Sequence, residues 1–161
     1  MEKRRLHGKV YTRKGLKRPI SYVEISLFAH ATEDPKKALK AARNIFPEQY
    51  ISDVSFTREN LWGHHKNPII LFRTLIKRGR IINAFMENLF EELEATERES
   101  LSLDFKRCMD GEKTLYLRLD KQKAFLGEIE LGHSDPIHVK INLTSNPKSF
   151  KEIVDSTNLI R

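Results

Sequence analysis

The hydrophobic positions of this chain change period several times. From Ser21 to Ala31 they alternate, with Val23, Ile25, Leu27 and Ala29 on one face, and a period of two predicts a half-buried strand. After Asp34-Pro35 the period becomes helical through Ala38, Leu39, Ala42 and Ile45. The aspartate can accept from free first-turn amides, proline takes a position whose amide would have no partner, and Pro47 ends the run. The same Asx-Pro signal at Asn67-Pro68 and Asn146-Pro147 predicts two more helix starts. The helix from Pro68 would bury Ile69, Phe72 and Ile76 and stop at Gly79, and a second periodic run follows through Ile82, Phe85, Leu89 and Leu93, giving a helical pair or one helix with a break. Between the first two helices a short strand is expected around Val54 and Phe56.

Further on, LSLDFKRCM and TLYLRL flank Asp110-Gly111, a turn pair that predicts a β-hairpin burying Leu101, Leu103 and Phe105 with Leu115, Leu117 and Leu119. Asp120 caps a short helix through Phe125 that Gly127 ends, and Ile137, Val139 and Ile141 alternate in a last strand. The order β-α-β-α-α-β-β-α-β-α predicts an α+β fold: a mostly antiparallel sheet of four or five strands covered by helices on one face.

Composition narrows the class. A 39% hydrophobic share in 161 residues supports one core, since a chain near this length buries roughly 70% of its unfolded surface. No stretch approaches the ~20 apolar residues that span a bilayer, and the N-terminus lacks a signal-peptide apolar run, so a cytoplasmic location is expected. The single cysteine, Cys108, excludes an internal disulfide. The net charge of +7 has an uneven origin. Residues 1–18 hold eight cations, Lys3, Arg4, Arg5, Lys9, Arg13, Lys14, Lys17 and Arg18, against Glu2, while residues 19–161 balance 21 cations with 21 acids. The chain therefore divides into a basic N-terminal arm, 1–18, suited to an anionic partner, and a single domain, 19–161.

The neutral domain is itself polarised. Residues 58–80 carry six cations and one acid, residues 87–104 carry seven acids and one cation, and residues 106–123 carry six cations and three acids. Trp62, Tyr116 and the imidazoles add surfaces on which unpaired bases could stack. Chemistry beyond binding finds little support. The adjacent His64 and His65 lack ligand spacing, Asp110 and Asp120 are explained by a turn and a cap, and Asp104 stands alone, so neither a resident metal nor a cofactor is expected. Cys108 has no identifiable base, and the seven glycines are dispersed rather than gathered in a phosphate loop.

Three segments carry a family resemblance: His-Ala-Thr-Glu-Asp (His30 to Asp34), Gly-His-His-Lys-Asn-Pro (Gly63 to Pro68) and Leu-Arg-Leu-Asp-Lys-Gln (Leu117 to Gln122). With the strand and helix around them they resemble an archaeal family of RNA-binding proteins regarded as exosome subunits, over most of residues 21–143. The resemblance implies a domain similar to a ribosomal protein that contacts 5S rRNA, homodimers, RNA as partner, and association with the exosome or other RNA-processing proteins. In the middle segment the family usually has Tyr-Gly where this chain has His65-Lys66, which argues against a tight glycine-dependent turn and adds a positive charge. His64, Lys66, Asn67, Arg73, Arg118, Lys121 and Gln122, together with the cations of the arm, are the candidate RNA contacts. The expected function is non-enzymatic RNA binding. An oligomerising adaptor for protein partners is the alternative, and a metal-dependent ribonuclease a more distant one.

Overall fold

The computed structural model describes residues 3–6, 9–12 and 18–158, with side chains from 18 to 157. Strands β1 (Lys3–Leu6) and β2 (Lys9–Thr12) pair with each other antiparallel. The chain continues as β3 (Ile20–Ala29), α1 (Pro35–Asn44), a 3-10 helix (Glu48–Asp53), β4 (Thr57–Trp62), β5 (Pro68–Ile76) and α2 (Gly79–Glu92). Then come α3 (Ala95–Leu103), α4 (Phe105–Cys108), β6 (Met109–Asp110), β7 (Thr114–Leu119), α5 (Lys121–Phe125), β8 (Ile137–Leu143) and α6 (Phe150–Asn158). Six strands form one antiparallel sheet in the order β4-β5-β3-β8-β7-β6.

Register explains the core. Val23, Ile25 and Leu27 of β3 lie opposite Ile76, Thr74 and Phe72 of β5, and Val23 and Ile25 also face Ile141 and Val139 of β8, which in turn face Leu115 and Leu117 of β7. All are buried, and they meet Ala38, Ala41 and Ala42 of α1, Ile82, Phe85 and Leu89 of α2, and Phe150 and Ile153 of α6. The α+β class and the helix-covered antiparallel sheet are as the hydrophobic pattern predicts. The opposite face is left open: Glu24, Ser26, Arg73, Arg118, His138 and Lys140 alternate with the core residues and are exposed or partly exposed.

Local signals succeed where they are self-contained. Asp34 Oδ1 accepts from the Lys36 amide at 2.9 Å and Asp120 Oδ1 from the Lys123 amide at 2.8 Å, so both helices start where their caps predict. Gly127, at φ 85°, follows α5 in the left-handed region.

Several local expectations are overturned. Residues 68–76 form a strand, not a helix: Ile69, Phe72 and Ile76 fit a helical period, but Ile70, Phe72, Thr74 and Ile76 fit a period of two that β3 completes by pairing. Gly79 opens α2 instead of ending a helix, and Asn67 closes the turn between β4 and β5, its carbonyl accepting from the Gly63 amide. The strand expected around Val54 and Phe56 lies later, at Thr57–Trp62, behind the 3-10 turn. LSLDFKRCM is largely helical. Glu94 and Glu97 make a reciprocal capping box that starts α3, Leu103 is 81% exposed, and only Met109 and Asp110 pair with Leu115 and Thr114 around the Asp110-Gly111 turn. Finally, α6 is capped by Ser149, whose Oγ accepts from the Glu152 amide at 3.1 Å, and begins after Asn146-Pro147.

Candidate nucleic-acid interface

Two of the three motif segments meet across the structure. His30 to Asp34 link β3 to α1, and Leu117 to Gln122 run from β7 into α5, so the topology brings both to one end of the sheet. There Lys121 is only 8% exposed, and its Nζ donates to the Phe28 carbonyl at 2.9 Å, to Glu33 at 2.8 Å and to Asp135. His30 extends the cluster: its Nε2 lies 3.1 Å from Asp135 Oδ1, and its amide donates to Glu33 Oε1 at 3.2 Å. Burial raises the Asp135 pKa, but the bonds from Lys121 and His30 outweigh it and hold the carboxyl below its ordinary value. Asp135 has φ 46°, so the 131–136 loop turns sharply to bring this carboxylate in.

His30, Glu33 and Asp135 present ligand atoms within 4.8 Å of one another, a spacing that would suit a cation. The Lys121 ammonium already bridges both carboxylates, so the cluster carries its own counter-charge and reads as a clamp between the β3–α1 and β7–α5 junctions. Asn44 reinforces it from the far end of α1, donating to the Ala124 and Phe125 carbonyls at 3.0 and 3.2 Å. Lys121 is thus withdrawn from the candidate RNA contacts, because an amine saturated by three acceptors in a buried site has nothing left to offer a phosphate.

The third segment forms a projecting hairpin. Ala29 is the last residue of β3 paired with β5, at Ile70, yet β4 and β5 continue to pair through Leu61–Ile69 and Trp62–Pro68, so the turn at 63–67 reaches beyond β3. The Gly63 amide donates to the Asn67 carbonyl at 2.8 Å and the Lys66 amide to the Gly63 carbonyl at 2.9 Å. A Cβ at Gly63 would sit 2.5 Å from Asn67 Oδ1, so the asparagine side chain folds into the space a glycine leaves. The turn is tight despite the lost glycine: Lys66 adopts φ 60°, a left-handed conformation a side chain resists. Around it, Trp62 is 75% exposed, the His64 and His65 rings stand edge to face at 5.4 Å, and both imidazoles and Lys66 face solvent. Arg58, Asn60 and Trp62 share one exposed face of β4.

The other candidates are spread out. Arg73 and Arg118 lie on the open sheet face, Arg73 3.8 Å from Glu24 and Arg118 opposite His138, whose pKa is lowered by burial and by the guanidinium. Gln122 is exposed on α5. Arg18 lies at the opposite end of the sheet, where its Nη1 donates to the Lys77 carbonyl at 3.3 Å and it lines a cleft of about 640 Å³ with Tyr50, Arg80 and Asn83. The side chains of Lys3, Arg4, Arg5, Lys9, Arg13, Lys14 and Lys17 lie outside the described residues. A group the site candidates omit is the outer face of α1, where Lys36, Lys37, Lys40 and Arg43 are all exposed. Their helical spacing was available in the sequence as a signal.

An open antiparallel sheet backed by helices, with an exposed tryptophan and exposed cations on the β4–β5 hairpin, the open face and α1, is the frame of a small α+β domain suited to a polyanion. Residues 22–143 match a family described as RNA binding, and the chain belongs to that family. It is 38% identical over 134 residues to the RNA-binding protein PAB1135 of Pyrococcus abyssi, covering 82% of this chain and 87% of the relative. Among solved structures it resembles AF2318 of Archaeoglobus fulgidus at TM-score 0.70 and 29% identity, covering 88% of this chain and 99% of that one. It also resembles Mth689 of Methanothermobacter thermautotrophicus, a DUF54 protein, at TM-score 0.64 and 31% identity, over 88% and 98% of the two chains. Among the described residues no helix is long and apolar enough to cross a membrane.

Proposed function

We propose that this protein binds RNA without cleaving it, and serves RNA processing or the exosome as an accessory subunit in the cytoplasm. The observation that carries this reading is the projecting β4–β5 hairpin. It offers a solvent-facing indole, two imidazoles and Lys66 beyond the end of the sheet, a combination that stacks unpaired bases and meets their phosphates. Membership of the RNA-binding family supports it independently. The non-catalytic half of the reading rests on the acids. Asp104 joins α3 to α4 and lies 3.8 Å from Arg107, Asp110 occupies a turn strand, Asp120 caps α5, and Glu33 and Asp135 are bridged by Lys121, so these carboxylates already serve the fold.

Fluorescence anisotropy with labelled unpaired RNA tests the proposal. Trp62→Ala should weaken binding by about 1–3 kcal/mol, the usual loss of one stacking platform, while leaving stability nearly unchanged because the ring is exposed. No binding by the intact protein at low salt would overturn the function, and equal affinity of the variant would remove the hairpin from it. Degradation of the probe by the purified protein would overturn the non-catalytic reading.

A further inference from the structure

Helix α1 has an outer face that the fold does not account for. Its inner side is spent on Ala38, Ala41 and Ala42, buried against the sheet. The outer side carries Lys36, Lys40 and Arg43 in a stripe at helical spacing, with Lys37 beside it, and the helix contains no acid. Among the described residues none of these four cations makes an ion pair; the pairs that form involve His30, Arg73, Arg107, Lys121 and Lys123.

Two physical terms oppose this arrangement in the free protein. Lys36–Lys40, Lys37–Lys40 and Lys40–Arg43 are like-charged neighbours one turn apart, which repel. Lys36 and Lys37 also occupy the first turn, where the positive end of the helix dipole disfavours cations, and the capping Asp34 carboxylate is the one acid of this helix start set against them. A solvated helix face ordinarily mixes both signs. A single-signed stripe whose charges repel one another gains from an anionic partner lying along it. The helix that carries the stripe is anchored, and two of its lysines are restrained. Asn44 ties α1 to α5, and the Lys40 and Lys37 ammoniums sit 5.3 and 6.0 Å from the centre of the Phe125 ring, a cation–π arrangement that restrains both side chains.

We infer that the outer face of α1 is a second RNA-contacting surface, which takes the phosphodiester backbone of a double-stranded segment. This rests on the RNA-binding reading above but assigns a different surface and a different kind of contact. From Lys36 to Arg43 the stripe runs about 10 Å along a straight helix, matched to the dense, regular charge of a duplex. It offers no free aromatic face, because both lysines lie over Phe125, so unpaired bases would find nothing to stack on. The hairpin at 62–66 takes bases; α1 takes charge.

The experiment compares the full chain, the triple variant Lys36→Gln/Lys40→Gln/Arg43→Gln and Trp62→Ala on two probes, a blunt RNA duplex and an unpaired oligonucleotide, across a salt series. The triple variant should flatten the slope of log K against log salt on the duplex by roughly 2 to 3, at ~0.9 per phosphate contact, and its melting temperature should stay level or rise as repulsion is relieved. Trp62→Ala should affect the unpaired probe alone. If the intact protein binds and the triple variant keeps its duplex slope, the inference fails while RNA binding stands. Equal losses on both probes would also overturn the duplex assignment. An unchanged RNA slope with lost retention on a polyglutamate column would give the face to an acidic protein instead. Binding of neither probe by the intact protein would remove the RNA-binding reading itself.

Discussion

Lys121→Met tests the buried clamp most directly. Methionine keeps the length of the stem and removes only the ammonium, so the change isolates charge and hydrogen bonding from packing. It leaves the Phe28 carbonyl without its donor and sets the Glu33 and Asp135 carboxylates against each other with nothing between them. Removing one partner of a buried ion pair costs about 3–5 kcal/mol. Here the two carboxylate side chains are 30% and 35% exposed, so water screens part of the new repulsion and the expected loss is about 2–3 kcal/mol. For a domain of this size that lowers Tm by roughly 5–10 °C, within a typical stability of about 5–15 kcal/mol, so the variant still folds. Urea unfolding gives the number, and a cycle with Asp135→Asn should show a coupling energy of about 1–3 kcal/mol. The pH dependence has a defined sign. Asp135 has a depressed folded pKa, so its contribution is present above its unfolded value of about 3.9 and is lost as pH falls through the folded value. The difference between wild type and variant should therefore be widest at neutral pH and narrow in acid. A loss below about 0.5 kcal/mol, typical of a surface substitution, would refute the clamp. Measured well below its Tm, the variant should bind RNA like the wild type. A loss of affinity with the fold intact would return Lys121 to the contact surface.

Two further changes separate the frame from the contacts around it. Lys66→Gly should relieve a left-handed residue at φ 60° and stabilise the domain by up to about 1 kcal/mol after the extra unfolded-state entropy of glycine, read as a Tm rise of roughly 2–4 °C, while weakening RNA binding through the lost cation. A lower Tm would show that the side chain, not the turn, matters to stability. Gly132→Ala should destabilise by about 1–3 kcal/mol, because the new Cβ would lie 2.8 Å from Asp120 N and Cα, a rigid backbone held by the Asp120 amide bond to the Glu130 carbonyl. Wild-type stability in urea would contradict that packing.

Legibility tracked how local each determinant is. Asp34-Pro35 and Asp120 specify their helices through bonds to residues two or three away, and the sequence pattern finds them. The run 68–76 satisfies both a helical and an alternating pattern, and the choice is made by pairing with β3, some forty residues earlier in the chain. In 95–108 the deciding local signal was present: Glu94 and Glu97 stand at capping-box spacing, but the leucines that follow also fit a hairpin around Asp110-Gly111. The clamp was not legible, since Glu33 is 88 residues from Lys121 and nothing in the sequence orients one toward the other. The α1 stripe was legible by its period, yet a charge count over a window dilutes it with Glu33 and Asp34, which serve as an ion-pair partner and a cap.

The motif residues themselves now divide into two groups with different consequences. His30, Glu33, Asp34, Gly63, Asp120 and Lys121 are held in caps, tight approaches and the clamp, so they define where the hairpin and α1 stand. His64, Gln122 and Arg118 reach solvent. His65 and Lys66, where this chain departs from the family's usual pattern, also lie on the exposed tip, outside the frame. A change there alters what the protein touches without altering how it folds, and Lys66 does so against a backbone preference for glycine. Lys66 holds this left-handed conformation at a solvent-exposed position with no ion pair among the described residues, and the proposed contact gives its charge a role there. The two surfaces proposed for RNA therefore share one physical signature. At the hairpin tip a side chain sits in a left-handed conformation, and along α1 like charges stand one turn apart, so the cations at both places carry a local cost.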